Sequence, residues 1–205
     1  MRFDTVLSRL EAGLRQPLPG TTAHALMAPN PRRSWPDGFS PASIRHAAGL
    51  LLLFPIETTA YLVLTVRSDS LGRHGGQVSL PGGVAEPGES FEEAALSEAH
   101  EEVALAPGLA RILGRLTPLD IPVSGFRLHP IVAFAKERPV LQPADGEVAR
   151  ILEVPLAALA DPGHRVQVVR VRDAVELAVP AFRIEETEIW GATAMVLAEL
   201  LALVS

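Results

Sequence analysis

The sequence predicts an α/β (α+β) protein in which a buried strand is followed by a second strand, a glycine-rich loop, a helix and further strands. Residues 47–54 form a continuous apolar run of strand length, which is typical of a strand buried on both faces. Residues 61–66 form a second β-rich run after a short turn, so the two runs predict a hairpin. Ser90 followed by Glu93 fits a capping box, which marks the start of a helix.

The composition is that of an ordinary globular protein and argues against several classes of function. The 205 residues suffice for one substantial core, and 48% hydrophobic against 20% charged residues is a typical balance. A net charge of -6 argues against a surface that coats nucleic acid. Without cysteine there are no disulfides, thiolate zinc sites or cysteine nucleophiles. The sequence lacks a signal-peptide core and an apolar run of membrane-spanning length, so we expect a cytoplasmic protein that does not bind membranes.

Two segments precede the first predicted strand. Apolar side chains at helical spacing within residues 3–15 predict a short amphipathic helix. Six prolines from Pro17 to Pro41 should break regular structure, so we expect this stretch to lie extended on the surface or to hang loose. It contains Arg32 and Arg33, which fit solvated side chains better than a phosphate contact.

The helix that begins near Ser90 carries three carboxylates on one arc. Glu98, Glu101 and Glu102 are three and four residues apart, so their side chains project in one direction. A core-facing stripe runs beside them and consists of Phe91, Ala95, Ala99 and Val103. Three crowded negative charges either stay solvated or bind a hard divalent cation, for which magnesium and manganese suit oxygen ligands. The preceding glycine turn, the capping box and Glu89 favour the cation.

The chain beyond this helix predicts a second group of strands. Pro107 and Gly108 should end the helix. Strands are predicted over residues 110–116, 126–134, 166–171 and 175–179, and the last two predict a hairpin around Arg172 and Asp173. Helices are predicted over residues 156–160 and 188–203. A loop should cover residues 120–125. Pro130 cannot donate to a strand ladder, so the strand that contains it should lie at an edge or carry a bulge.

The spacing around the three carboxylates resembles the Nudix box. That pattern reads glycine, five residues, glutamate, seven residues, arginine-glutamate-aliphatic, one residue, glutamate-glutamate, one residue, glycine-aliphatic. The matching positions are Gly83, Glu89, Ser97, Glu98, Ala99, Glu101, Glu102, Ala104 and Leu105. All four glutamates of the pattern are present. Ser97 stands where the family has arginine, and Ala104 where it has glycine.

Three further stretches resemble the coenzyme A pyrophosphatase branch of this family. The first has the form LLTxRS, a spacer with arginine, then GQVxFPGG. Its matching positions are Leu64, Thr65, Arg67, Ser68, Arg73, His74, Gly76, Gln77, Val78, Pro81, Gly82 and Gly83. Leu80 replaces the usual phenylalanine, and the spacer arginine falls at Arg73. Residues 147–156 resemble EVxxIxxVPL, and residues 189–194 read IWGATA, as in the last segment of the branch.

The resemblance covers about residues 45–200 and implies the Nudix fold. This fold is a mixed β-sheet sandwiched between helices, with a loop-helix-loop catalytic motif. We therefore expect a Nudix hydrolase domain over residues 45–205, preceded by an N-terminal helix and proline-rich arm over residues 1–44. The family also suggests a homodimer. The function of the arm is not explained by the resemblance.

The resemblance further implies metal-dependent hydrolysis of the diphosphate bond of coenzyme A or its derivatives, giving 4′-phosphopantetheine and adenosine 3′,5′-bisphosphate. The implied ligands of Mg²⁺ or Mn²⁺ are Gly83, Glu98, Glu101 and Glu102. The implied catalytic carboxylates are Glu98, Glu102 and Glu147, and either Glu98 or Glu147 would accept the proton of the attacking water. The implied substrate-binding residues are Arg67, Arg73, His74, Gln77, Gly82 and Gly83.

Several alternatives stay open at this stage. The substrate could be another nucleoside diphosphate derivative, such as ADP-ribose or a dinucleotide, and the chain could be a ligand-binding domain with weakened catalysis. Serine at position 97 motivates the second alternative, because it supplies neither the charge nor the bidentate fork of an arginine that would brace Glu89. We therefore expect Glu89 to be held more loosely and turnover to be reduced. Glu147 could instead be a surface charge before a helix, and Trp190 could close the core or stack on substrate.

Overall fold

An eight-stranded mixed sheet and a three-stranded antiparallel sheet form the body of the protein. The computed structural model describes residues 1–68, 76–144, 146–172 and 175–205, and no helix in these ranges has the length and hydropathy to cross a bilayer. The helices are α1 (Phe3–Gly13), α2 (Gly20–Ala25), α3 (Phe91–Val103), α4 (Leu156–Ala160) and α5 (Gly191–Val204). The strands are β1 (Arg45–Ile56), β2 (Thr59–Arg67), β3 (Val78–Ser79), β4 (Gly82–Val84), β5 (Arg111–Arg115), β6 (Leu119–Ile121), β7 (Phe126–Phe134), β8 (Val148–Pro155), β9 (Arg165–Arg172), β10 (Val175–Ile184) and β11 (Thr187–Trp190).

The larger sheet is mixed because one pair of neighbouring strands is parallel. Its main path runs β3-β2-β1-β7-β5, with β4, β6 and β8 paired to β1, β7 and β2 respectively. Strands β1 and β7 are parallel, whereas β1 pairs antiparallel with β2 and β4. The predicted hairpins β1–β2 and β9–β10 are confirmed. The predicted turn residue Asp173 of the second hairpin lies outside the described residues.

Strand β1 is the centre of the sheet and is buried on both faces, as the apolar run predicted. Leu51 and Leu53 point to the layer that contains α1 and α5, and Leu50 and Leu52 point to the layer that contains α3. Because side chains alternate along a strand, one apolar run supplies both cores. The expected sheet sandwiched between helices is therefore confirmed.

Helix α3 begins as the sequence predicts but ends earlier. Ser90 is the N-cap, and the capping box with Glu93 is complete. Ala95, Ala99 and Val103 are buried, with Phe91 half-buried beside them. The helix ends at Ala104, which has φ 56° and ψ 32°, ahead of the predicted Pro107 and Gly108. This left-handed conformation is the one that favours glycine.

The stretch that was expected to be extended contains helix α2, which corrects the prediction. His24 Nε2 lies 2.8 Å from Glu199 Oε2 of α5, and both side chains are almost fully buried. Gly20 N–H and the Thr117 hydroxyl also donate to the Glu199 carboxylate. Burial raises the pKa of Glu199, but the hydrogen bonds from His24 and Thr117 outweigh burial, so its net pKa lies below the usual range. This polar cluster anchors α2 to α5.

The expectation that Pro130 marks an edge strand is wrong, but the ladder between β5 and β7 has a bulge or irregularity close by, between Ile112 and Gly114. Strand β7 lies inside the sheet, between β1 on one side and both β5 and β6 on the other. The Pro130 carbonyl accepts from Leu116 N–H at 3.0 Å, so the side of Pro130 without a donor faces the junction between β6 and β5. Because the Pro130 nitrogen points away from β1, the missing N–H removes no hydrogen bond between β7 and β1. On the other side, β7 changes its partner from β6 to β5 at this position.

Three shorter segments also differ from their predictions. The predicted loop over residues 120–125 begins with the end of strand β6. Residues 188–190 belong to strand β11, and α5 starts only at Gly191. Glu147 precedes strand β8, so the alternative of a surface charge before a helix does not apply. In each case strand pairing, which is not visible in local sequence, sets the boundary.

We predict that Ala104→Gly stabilises the protein. An L-residue pays about 1 kcal/mol for the left-handed conformation that glycine adopts without strain, so the free energy of unfolding should rise by about that amount. Ala12→Gly is the matched control, because Ala12 is exposed within α1 and has right-handed helical geometry. That change should lower the free energy of unfolding by about 0.5–1 kcal/mol. Denaturant unfolding measures both, and equal destabilisation by the two variants would contradict the prediction.

A second prediction concerns acid stability. The His129 ring stacks on Phe91 with centroids 3.5 Å apart, and its Nε2 lies 2.9 Å from Nδ1 of His46. Burial, then the His46 charge, lowers the pKa of His129 from 6.5 to about 4. The unfolded chain therefore binds more protons than the folded one between pH 6.5 and 4, so this group weakens folding as pH falls through that window.

His129→Phe keeps an aromatic ring against Phe91 and removes this titration. The loss of melting temperature between pH 7 and pH 4 should therefore be smaller in the variant than in the wild type. Thermal unfolding followed by circular dichroism at several pH values measures the two slopes. Identical slopes would show that His129 does not contribute to acid sensitivity.

Candidate active site

Two carboxylates of α3 meet the double glycine of β4. Glu102 Oε2 accepts a hydrogen bond from Gly82 N–H at 3.1 Å. The Glu98 carboxylate lies against Gly83 so closely that a Cβ there would be 2.2 Å from Glu98 Oε1. A Cβ on Gly82 would lie 2.2 Å from the carbonyl oxygen of Ala48. A side chain at either glycine would therefore displace a carboxylate or strand β1.

Local structure brings these groups together. Strand β4 pairs antiparallel with β1, placing Gly83 opposite Ala48, and α3 packs across both strands. The three carboxylates of the predicted arc differ in how exposed they are to solvent. Glu102 is only 5% exposed, Glu98 is half-buried and Glu101 is exposed. The buried end of the arc therefore faces the glycine turn, and the other end faces solvent.

Two hydrogen bonds between Glu86 and Glu89 brace the loop before α3. Glu89 Oε2 accepts from Glu86 N–H at 3.1 Å, and Glu89 N–H donates to the Glu86 carbonyl at 3.1 Å. Ser97 is exposed, and its hydroxyl lies 3.5 Å from Glu101 Oε1. Ser97 and Glu89 thus contact different groups. A structural role for these two residues stays a prediction.

Arg67 and Glu147 form a second group at the end of β2. The Arg67 guanidinium donates to Glu147 Oε2 at 3.2 Å, and Ser68 N–H donates to the Glu147 carbonyl at 2.7 Å. Arg67 N–H donates to the Gln77 carbonyl, and Gly76 N–H to the Arg67 carbonyl, each at 3.0 Å. These bonds hold three of the predicted site residues together. The predicted substrate residues Arg73 and His74 lie outside the described residues.

The segment that leads to Glu147 is also tied to α3. Ala144 N–H donates to the Glu102 carbonyl, and Gln142 N–H donates to the Val103 carbonyl, each at 3.1 Å. These bonds satisfy carbonyls that the helix end leaves without an intrahelical partner. One loop therefore connects the helix that carries the buried carboxylates with the strand end that carries Arg67.

The carboxylate pair fits a divalent cation that arrives with a phosphorylated ligand. Within the residues that the structure describes, no three His, Cys, Asp or Glu side chains gather as a metal-holding group. Magnesium is nevertheless commonly bound through one or two carboxylates, with waters and substrate phosphates completing its shell. Glu98 and Glu102 at the glycine turn supply such a pair of hard oxygen ligands. The further predicted ligands Glu101 and Gly83 stay predictions.

A cleft of about 750 Å³ lies along the segment that leads to the glycine turn. Gln77, Val78 and Ser79 line it, and Gly82 follows Ser79 by three residues, so these two residues are at most about 10 Å apart. Its charged lining residues are Arg32, Arg33, Arg67, Asp120 and Arg170. The remaining lining is largely apolar. An excess of positive charge is thus concentrated at one cleft of a chain whose net charge is -6.

Sequence reasoning missed part of this cleft. Arg170 and Asp120 were not singled out, because each looks like an ordinary polar residue on or beside a strand. Arg170 forms an ion pair with Glu188, and its guanidinium lies 5.2 Å from the centre of the Trp190 ring. Trp190 packs against a small apolar cluster, as one of its two predicted alternatives requires, and it also lines the cleft. Stacking of Trp190 on substrate stays a prediction. Arg32 is exposed, as expected, and it also lines the cleft.

Comparison with known proteins agrees with this architecture. Residues 44–172 match the family described as NUDIX domain. The uncharacterized Nudix hydrolase NudL of Yersinia enterocolitica is 37% identical over 166 residues, which are 80% of this chain and 84% of the relative. The uncharacterized Nudix hydrolase NudL of Pectobacterium atrosepticum is 40% identical over 122 residues, or 59% of this chain and 63% of the relative. The structure of a MutT/nudix family protein from Enterococcus faecalis is 18% identical with a TM-score of 0.50, covers 82% of this chain and 63% of that chain, and shows likeness of fold alone.

Proposed function

Because this chain belongs to the Nudix family of hydrolases, we propose that it hydrolyses the diphosphate bond of coenzyme A or a derivative. The family acts on nucleoside diphosphate derivatives, and this chain is a pyrophosphohydrolase of that kind. The observation that carries it is the cleft along the segment that leads to the glycine turn, because this cleft combines four arginines with largely apolar walls.

Coenzyme A has the two chemical characters that this cleft offers. Its nucleotide end carries several phosphate charges, which suit the arginine side chains by charge-assisted hydrogen bonds. Its pantetheine arm is long and only sparsely charged, which suits walls formed by residues such as Leu119, Val179 and Met195. ADP-ribose would place a second hydroxylated sugar against those walls and leave its hydroxyls poorly satisfied.

In the reaction, a water oxygen bonds to one phosphorus, the bridging P–O bond breaks, and the proton of the water passes to a carboxylate. The products are 4′-phosphopantetheine and adenosine 3′,5′-bisphosphate. Glu98 and Glu102 would hold a divalent ion, Mg²⁺ or Mn²⁺, with Glu101 as a further ligand. When bound, such an ion would neutralise diphosphate charge and lower the pKa of water, so that hydroxide becomes available as the nucleophile. The backbone of Gly82 and Gly83 lets the diphosphate approach closely, because no side chain intervenes.

The residue that accepts the proton is the open point of this mechanism, since the sequence left both Glu98 and Glu147. The position of Glu98 against Gly83, where the diphosphate would approach, favours Glu98. Glu147 is engaged with the Arg67 guanidinium at 3.2 Å, and Arg67 lines the cleft. We therefore assign Glu147 the role of positioning Arg67 toward a substrate phosphate.

The substrate assignment is tested by turnover. Coenzyme A, ADP-ribose and a diadenosine polyphosphate are each incubated with the protein and Mg²⁺ or Mn²⁺, and products are identified by mass spectrometry. Coenzyme A should give the highest kcat/KM. A faster reaction with ADP-ribose or the dinucleotide would reassign the substrate, and no turnover of any of them would favour a binding domain.

We predict that Glu98→Gln and Glu102→Gln each lower kcat at least about 100-fold, because each removes a charged ligand of the ion that would stabilise the reacting phosphates. Glu147→Gln should raise KM more than it lowers kcat, since Arg67 then loses its partner. Glu92→Gln is the control on the same helix, because Glu92 pairs with Arg115 and is not part of the site. Calorimetric titration with Mn²⁺ should show weaker binding in Glu98→Gln and Glu102→Gln. An unchanged kcat in these two variants would show that the two carboxylates take no part in the mechanism.

A further prediction concerns the position where the family has arginine. Ser97→Arg would place a bidentate donor near the loop that carries Glu89, and we expect kcat to rise several-fold because the loop becomes better braced. Ser97→Lys is the matched control, since it adds the charge without the fork and should raise kcat less. If neither substitution changes kcat, the Glu86–Glu89 hydrogen bonds already brace the loop fully.

A further inference from the structure

The proline-rich arm is tied to the cleft at two points. Asn30 N–H donates to the Ala178 carbonyl at 3.4 Å and forms an isolated bridge with strand β10. Trp35 Nε1–H donates to Asp120 Oδ2 at 3.3 Å. Arg127 holds the same Asp120 carboxylate through two hydrogen bonds of 2.6 and 3.1 Å. The segment between positions 30 and 35 is therefore fixed across the edge of the cleft.

Two of the four cleft arginines lie on this fixed segment. Arg32 and Arg33 are both exposed, and both line the cleft. Arg32 donates to the carbonyl oxygen of Asp120 at 3.5 Å. The other two arginines, Arg67 and Arg170, lie on strands β2 and β9 in the body of the protein.

The arm arginines lie outside the segment that matches the family, which begins at residue 44. Their charge also opposes the net charge of -6 of the whole chain at the place where an anionic ligand would enter. A role in recognising an anion explains both their position and the anchoring of the segment that carries them.

We propose that Arg32 and Arg33 bind a phosphate monoester of the substrate that lies beyond the hydrolysed diphosphate. The inference rests on the proposed function, because in coenzyme A this group is the 3′-phosphate of the ribose. A phosphate monoester carries between one and two negative charges at neutral pH and three acceptor oxygens, which suits two arginines that line the same cleft. The arm thereby selects phosphorylated nucleotides over analogues without that phosphate.

The kinetic test compares coenzyme A with dephospho-coenzyme A, which differs only in this phosphate. In the double variant Arg32→Ala/Arg33→Ala, kcat/KM for coenzyme A should fall about 10- to 100-fold, because charge-assisted hydrogen bonds are lost. The value for dephospho-coenzyme A should stay within about twofold, since that substrate never makes the contact. The double lysine variant should retain part of the preference, because it keeps the charge but not the fork.

Arg15→Ala is the matched control, since Arg15 is exposed after α1 and does not line the cleft. This substitution should leave kcat/KM unchanged for both substrates. An equal loss for both substrates in the double variant would mean that the arm only supports the cleft, and no loss for either would mean that the arginines are solvated. Either outcome would overturn the proposal. Circular dichroism and melting temperature check that each variant is folded.

A binding measurement separates this inference from the proposed function. Calorimetry with adenosine 3′,5′-bisphosphate and with adenosine 5′-phosphate needs no turnover. The wild type should bind the bisphosphate about 10-fold or more tightly than the monophosphate, and the double alanine variant should lose that difference. If coenzyme A is not hydrolysed but this difference is seen, the proposed function fails and the phosphate site stands. Equal affinities of the wild type for both nucleotides would overturn the phosphate site.

Discussion

The close approach of α3 to strand β4 is the contact on which the rest of the site depends. Glu102 accepts the Gly82 N–H while almost fully buried, and Glu98 lies where a side chain at position 83 would have to be. Two carboxylates are thus brought beside bare backbone, and burying them is tolerable only with donors or a cation to compensate. This constraint explains why the turn contains two glycines and why the helix must begin at a defined residue.

The elements around this contact bring different chemistry to it. The strand end at Arg67 and the loop at Glu147 supply a positioned ion pair, and that loop is hydrogen-bonded to the last carbonyls of α3. The cleft beyond them is lined by strands of both sheets, by the start of α5 and by the arm. The reactive turn belongs to the family fold, whereas part of the cleft comes from segments outside residues 44–172. The cleft is therefore built partly by the family fold and partly by additional segments of this chain.

Local signals were sufficient for the central elements. A capping box satisfies backbone donors within four residues, so Ser90 could be identified as the helix start without tertiary information. The doubly buried β1 was visible as an unbroken apolar run. Pro130 was misjudged because the rule against proline in interior strands assumes one continuous partner, and β7 has two partners on that side. Helix α2 was missed because its stability comes from a buried glutamate on α5, far away in sequence.

The sequence by itself determined the order of the core elements, the family and the set of carboxylates, because all three depend on residue types at fixed short spacings. Only the tertiary structure decided which carboxylate is buried, which group each one meets and which residues form the cleft. Depth and partnership depend on chain segments that are distant in sequence, as Gly82 and Glu102 or Trp35 and Asp120 are. The arm arginines show this most clearly, since they resemble ordinary solvated side chains until the bonds at Asn30 and Trp35 place them at the cleft.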